Sequence, residues 1–269
     1  MSKRKHSHAP SVSPDVYTRE YYERCCQGYK EFQQSRGQIL PLRLRIPLRL
    51  GSLRPGMRVL DVGCGRGEFL LHAAQEGVFT CGLDYAREAV LISKRTVAEV
   101  DSSYRKNILG VQQADARHLP YPSRIFDRVF LLDIVEHLYP EELHEMLVEV
   151  HRVLRKGGFA VVHTMPNVWY YRFGYPLYRL LQRLRGVQLP MNPRERWPYH
   201  HVHVNEQDPI SLSRVLRAAG FSARVWLAPA QRYDNERNPL VRVGMEGAVR
   251  FYPFRWIFCN DIFAIARKQ

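Results

Sequence analysis

Long apolar runs are missing from this chain. A stretch such as VFLLDIV at 129–135 falls far short of the roughly 18–20 residues that cross a bilayer, which excludes an integral membrane helix. Cysteine is sparse. Cys25, Cys26, Cys64, Cys81 and Cys259 are odd in number and form no Cys-x-x-Cys pair, which argues against a zinc site or a disulfide framework and points to a reducing cytoplasm. The opening MSKRKHSHAPSVSP is basic and then Ser/Pro-rich, without an apolar core behind it, so no secretory signal is expected. Acidic residues are also short, 26 against 40 Lys and Arg, for a net charge of +14. Such a field favours anionic partners: nucleic acid, an acidic membrane face, or phosphorylated and carboxylated substrates. The plainer alternative is an arginine-rich solvated surface. Internal repeats and an RNP1-like RNA-binding motif are lacking too.

What remains is a globular composition, 45% hydrophobic over 269 residues, enough for one generous α/β domain or two small ones. Residues 1–14 read as a disordered basic tail and 15–56 as an amino-terminal helical or lid segment. Within it, LPLRLRIPLRLGSLRPG at 40–56 alternates Leu and Arg as an extended edge would, although Pro41 and Pro47 forbid a central strand. A lid or linker packed on the main domain is expected there, with a basic amphipathic piece lying on a membrane as the alternative. From Met57 to the end, strands and helices alternate: strands at MRVLDV, VFTCGLD, GVQQAD, FDRVFLLDIV and GGFAVVHTM, with helices at 67–75, 86–100 and 140–154. That order predicts a Rossmann-like, doubly wound, mostly parallel sheet whose ligands sit at the carboxyl ends of its strands. A helix at 208–219, a strand at FSARVWLA, a polar loop and a last strand near WIFCNDIFAIA complete it. Residues 166–205 are too long for an ordinary connection and are expected to form a substrate lid.

The first strand runs into VLDVGCGRGEF, which spaces Asp61, Gly63, Gly65 and Gly67 as Asp-x-Gly-x-Gly-x-Gly. Glycines at such a turn allow positive φ and a close approach of ligand to backbone. A dinucleotide loop needs its third glycine at position 68, where this chain has Glu68. Carboxylates at 61 and 68 repel pyrophosphate but suit a cation, and S-adenosylmethionine carries a sulfonium and an ammonium with no phosphate. Asp84 ends the second strand, placed to accept both ribose hydroxyls, and Asp115 ends the third, placed for the adenine amino group. One bound nucleoside explains all three acids.

These residues, with ADARHLPYPSRIFDRVF, EHL and VHRVLRKGGFAVVHTMPN, resemble the class I S-adenosylmethionine-dependent methyltransferases of the broad type-11 group over about Met57 to Leu227. The resemblance implies a seven-stranded sheet with one antiparallel strand near the carboxyl terminus. It implies S-adenosylmethionine contacts at Asp61, Gly63, Gly65, Gly67, Asp84, Tyr85, Asp115, Ala116 and Leu132. It does not fix the acceptor. Methyl transfer is chiefly alignment, with a base needed only where the nucleophile must lose a proton. His137, His203 and Glu136 are the candidate catalytic residues.

Asp133, Glu136, His137 and His203 also resemble part of the Mg²⁺ site of small-RNA 2′-O-methyltransferases, with Asp133 one methylene shorter than the Glu found there. The reading preferred here is a pocket lining without metal. The insertion interleaves Trp169, Tyr170, Tyr171, Phe173, Tyr175 and Tyr178 with arginines, which suits stacked bases, a sugar face or a bilayer interface. In YPLYRLLQRLRG the leucines either pack on the domain or meet a lipid surface. O-methylation of a small-molecule, glycan or lipid-linked acceptor, anionic or aromatic in character, is expected. RNA methylation, or holding the cofactor without turnover, is the alternative. A cytoplasmic protein is expected, with peripheral contact at the inner membrane face as an extension of the lipid reading.

Overall fold

The computed structural model describes residues 12–24, 28–99, 101–230 and 238–269. Most of the proposed tail, residues 1–11, lies outside them. So do Cys25 and Cys26, whereas Cys64, Cys81 and Cys259 are buried free thiols.

The amino-terminal segment is helical: α1 (Arg19–Arg24), α2 (Tyr29–Ser35) and α3 (Leu42–Leu50). The last corrects the extended reading of 40–56. Leu40 and Leu44 are buried with Leu48 beside them, a spacing of four that gives a helical stripe, and Pro47 is buried within the helix. That stripe packs against the sheet face carrying Phe130 and Val161.

There follow β1 (Arg58–Val62), α4 (Glu68–Gln75), β2 (Phe79–Asp84), α5 (Arg87–Ala98), the single turn α6 (Ser102–Arg105), β3 (Ile108–Gln113), β4 (Phe126–Leu132), α7 (Pro140–Val153) and β5 (Leu154–Thr164). Then come α8 (Tyr175–Leu184), α9 (Pro209–Ala218), β6 (Ser222–Leu227), α10 (Pro239–Arg250), α11 (Phe254–Phe258) and β7 (Ile262–Arg267). The seven strands order as β3-β2-β1-β4-β5-β7-β6. All pairs from β3 to β5 are parallel, and β7 alone runs antiparallel, to both β5 and β6. β1, β4 and β5 lie buried on both faces, as central parallel strands must, and so read as near-continuous apolar runs.

Helix starts follow local chemistry. Pro140 opens α7, and Glu142 accepts the Tyr139 amide at 3.0 Å. Asp208 caps α9 by accepting from Ile210 and Ser211. The stretch after β6 is not simply a polar loop: Asn238 caps α10 through the Leu240 and Val241 amides. The segment between β5 and α9 carries a π-helical turn at Tyr170–Gly174, then α8, then short 3-10 turns at Pro193–Arg196 and His200–Val202. No helix among the described residues is long and apolar enough to cross a membrane.

Candidate active site

The carboxyl ends of β1, β2, β3 and β4 open into a cavity of about 250 Å³. Its floor is the turn between β1 and α4. The amides of Gly63 and Cys64 donate to the Leu83 carbonyl at 2.8 and 3.0 Å, and the Gly65 amide donates to Asp84 at 3.0 Å. All three motif glycines have positive φ, yet they do different work. At Gly65 a Cβ meets only the Tyr22 ring edge, at 3.9 Å, so the missing side chain leaves the backbone open to the cavity. Gly67, expected among the cofactor contacts, does not line the cavity; a Cβ there falls 2.3 Å from Ser93 Oγ, so it serves the packing of α4 on α5.

Asp61 and Asp84 stand side by side in the wall, both buried. Burial, reinforced by Asp84 and Glu68, pushes the Asp61 carboxyl up to about 8. Burial likewise pushes Asp84 up to about 6, against the pull of its backbone hydrogen bonds. Glu68 is neutralised by Arg66 at 2.7 Å. Neither Asp61 nor Asp84 has an ion-pair partner among the described residues, and a cationic ligand fits that gap. Tyr85, Ala116 and Leu132 line the cavity, with Gly63. Asp115 lines it too, but its oxygens are taken by the Arg117 guanidinium at 2.6–3.0 Å and by the Arg117 amide. Burial notwithstanding, those bonds hold Asp115 below its usual range.

The opposite rim brings Glu136, His137 and His203 within 4.8 Å of one another. Glu136 accepts from Thr164 at 2.7 Å, and burial with Asp133 nearby raises its pKa. His137 Nδ1 meets the Tyr17 hydroxyl at 3.0 Å, and the ring also bonds the Val202 backbone. Burial and His203 bring His137 down to about 3. The His203 ring packs edge-on at 4.9 Å, has no side-chain hydrogen bond among the described residues, and is lowered by burial to about 4. Both imidazoles are neutral near pH 7.

Asp133 is turned to other work. Its φ is +57°, and it binds Arg43 of α3 and His163 Nδ1, the latter at 2.5 Å. His163 Nε2 lies 3.3 Å from Asp261. Burial disfavours charge on His163, but the two carboxylates overcome it and raise its pKa. Mg²⁺ does not fit what is left: one carboxylate already accepting from a hydroxyl, and two imidazoles, offer too few hard oxygens.

Tyr17, Tyr21 and Tyr22 close the cavity from the amino-terminal side, and Tyr85 Oη reaches the Val12 carbonyl at 3.0 Å, so the end of the proposed tail is part of the wall. From the insertion come Tyr171, Trp197, Tyr199 and His200, whereas the His201 side chain is exposed. Nothing in the sequence pattern marked Arg43, His163 or Asp261, which meet only through the fold. The spacing of Tyr17, Tyr21 and Tyr22 was the one available signal for the amino-terminal wall.

A family model described as a methyltransferase domain matches residues 60–162. The chain is 38% identical over 191 residues to a fatty-acid O-methyltransferase of Mycolicibacterium smegmatis, covering 67% of this chain and 63% of that protein. It is 32% identical over 127 residues to an uncharacterized methyltransferase of Synechocystis, covering 46% of this chain and 56% of that one. It thus spans somewhat over half the length of these relatives. A solved S-adenosylmethionine-dependent methyltransferase from Archaeoglobus fulgidus shares the fold, with a TM-score of 0.56, 20% identity and coverage of 89% and 97% of the two chains.

Proposed function

Because this chain belongs to the class I S-adenosylmethionine-dependent methyltransferases, we propose that it moves the methyl group of that donor to an oxygen of an acceptor with an apolar or aromatic body. One observation carries the donor side of this reading: Asp61 and Asp84 face the cavity, buried and without a cationic partner among the described residues, beside the open backbone of Gly65. When bound, S-adenosylmethionine supplies a methyl carbon on a sulfonium that departs as a neutral thioether. Asp61 answers its positive charge. The Asp84 oxygens already accept from the Gly65 and Ala86 amides at 3.0 and 2.9 Å, which fixes the carboxylate while leaving lone pairs for ribose hydroxyls.

The neutral rim does the rest. His137 is held by Tyr17 and Val202 and shapes the wall, so His203 is the residue free to take a proton from an acceptor hydroxyl. A carboxylate acceptor needs no base, only alignment. The mycobacterial relative is named for a fatty-acid acceptor, an oxygen nucleophile on an apolar body, and that supports an acceptor of this kind here.

Replacing Asp84 by Ala removes a charged double acceptor and is expected to weaken S-adenosylmethionine binding by about a hundredfold in calorimetry. His203→Asn is expected to leave that affinity intact and to slow turnover on a hydroxyl acceptor. Label from methyl-labelled donor, incubated with fractionated cell extract, is expected in lipid or small-molecule fractions. Label confined to RNA, or no transfer beside intact donor binding, removes the O-methylation reading.

A further inference from the structure

The insertion between β5 and α9, which walls the cavity, and the segment between β6 and β7, whose described residues do not reach it, both carry apolar side chains on their outer faces. In α8 the leucines do not pack on the domain: Leu177, Leu180 and Leu181 are exposed and Leu184 is 78% exposed. In α10, Leu240 is 82% exposed and Val243 stands beside it in solvent; in the turn that follows, Phe251 is 67% exposed. Trp256 of α11 is exposed as well. Scattered surface leucines need no explanation, but two amphipathic segments at one edge of the molecule do.

These segments are locked together. α11 packs on the π-helical turn that leads into α8, so closely that a Cβ on Gly174 falls 1.8 Å from the Ile257 carbonyl oxygen. The same insertion turns Tyr171 and Trp197 into the cavity. Outer face and cavity wall are therefore two sides of one piece of chain.

Charge selects the occupant. Residues 166–194 hold five arginines and neither Asp nor Glu, and residues 238–260 hold three arginines against Glu246 alone. Leucine and aromatic side chains among arginines are the composition of a helix lying in the headgroup layer of an anionic bilayer. A second copy of the chain is a poorer occupant, since a two-fold contact sets the same arginines against each other.

We propose that α8 with α10 and α11 forms a docking surface for anionic membrane, from which an amphiphilic acceptor enters the cavity beside Tyr171 and Trp197. This rests on the reading of an acceptor with an apolar body, and deepens it by naming the source.

The test is flotation of the full chain with vesicles of phosphatidylcholine alone and of phosphatidylcholine with phosphatidylglycerol. Binding is expected with the anionic vesicles, weakening with salt by on the order of fivefold for each arginine engaged. Leu180→Glu with Leu184→Glu, and separately Leu240→Glu with Val243→Glu, are each expected to lower partitioning at least about a hundredfold. Both pairs lie outside the cavity, so calorimetric affinity for S-adenosylmethionine is expected to be unchanged, which also reports folding. Should a Glu pair fail to fold, Arg179→Gln with Arg183→Gln is expected to weaken anionic-vesicle binding alone. No binding to anionic vesicles, equal binding to both vesicle types, or unaltered binding by folded variants overturns the proposal. So does a dimer in light scattering that the α8 pair dissolves, which assigns the face to a second copy. If the intact chain floats with anionic vesicles but does not bind S-adenosylmethionine, the methyltransferase reading fails and the acceptor route with it, while the docking surface stands.

Discussion

Two glycines separated by one residue, Gly65 and Gly67, meet different surroundings: one faces the cavity, the other the packing of α4 on α5. Gly65→Ala meets only the Tyr22 ring edge, so its penalty is that of an alanine at positive φ, about 1 kcal/mol of stability. It projects a methyl into the cavity, and lower S-adenosylmethionine affinity is expected in calorimetry. Gly67→Ala drives a methyl into Ser93 and is expected to cost about 3 kcal/mol in denaturant unfolding while leaving the affinity of the folded fraction alone. Adding Ser93→Gly is expected to recover the part due to the side-chain clash, the cost of an alanine at positive φ remaining. Equal effects of the two alanines on affinity overturn this division. The motif itself was legible because its residues are neighbours in sequence, and so were Asp84 and Asp115 at strand ends. Which glycine faces the cavity was not legible, because Ser93 sits on another helix. Nor was the pairing of Asp115 with Arg117, since a strand-end carboxylate looks the same whether a ligand or a guanidinium answers it.

Elements were legible where one periodicity ruled. The buried strands and α7 follow their apolar patterns closely, whereas α3 was masked by a Leu/Arg alternation that mimics a strand and by Pro47. Only the four-residue spacing of Leu40, Leu44 and Leu48 betrays the helix. Its placement has a purpose: α3 delivers Arg43 to Asp133, beginning a line of alternating charge through His163 to Asp261 that ties the amino-terminal segment to β4, β5 and the start of β7. Arg43→Met leaves the Asp133 carboxylate with His163 alone and is expected to cost up to about 3 kcal/mol. In a double-mutant cycle with Asp133→Asn the two changes are expected to be non-additive by at least about 1 kcal/mol. Simple additivity means that the ion pair is not formed in solution.

For the molecule as a whole, opposed titrations shape the dependence of stability on pH. His137 and His203 are held neutral, down at about 3 and about 4 against an ordinary 6.5. The unfolded chain binds those protons first, so stability falls as pH drops below about 6.5. Asp61, up at about 8, and Asp84, up at about 6, act in the other direction. The native state keeps their protons longer, so stability falls as pH rises from the ordinary carboxylate range through those values. Glu136, up at about 8, and His163, up at about 10, add to that alkaline loss, so the melting temperature of the ligand-free protein is expected to fall from about pH 6.5 to about 8, and to fall less with S-adenosylmethionine bound as its cation takes over from the Asp61 proton. An alkaline loss that is unchanged when the donor is added contradicts the assignment of Asp61. The outline of the cavity has a kinetic corollary. Its near side is a strap of chain held by the burial of Tyr17, Tyr21 and Tyr22 against Ala86, Ala89 and Val202 and by two phenolic contacts, Tyr85 to Val12 and Tyr17 to His137. Spent donor leaving past that side is expected to do so no faster than those contacts part.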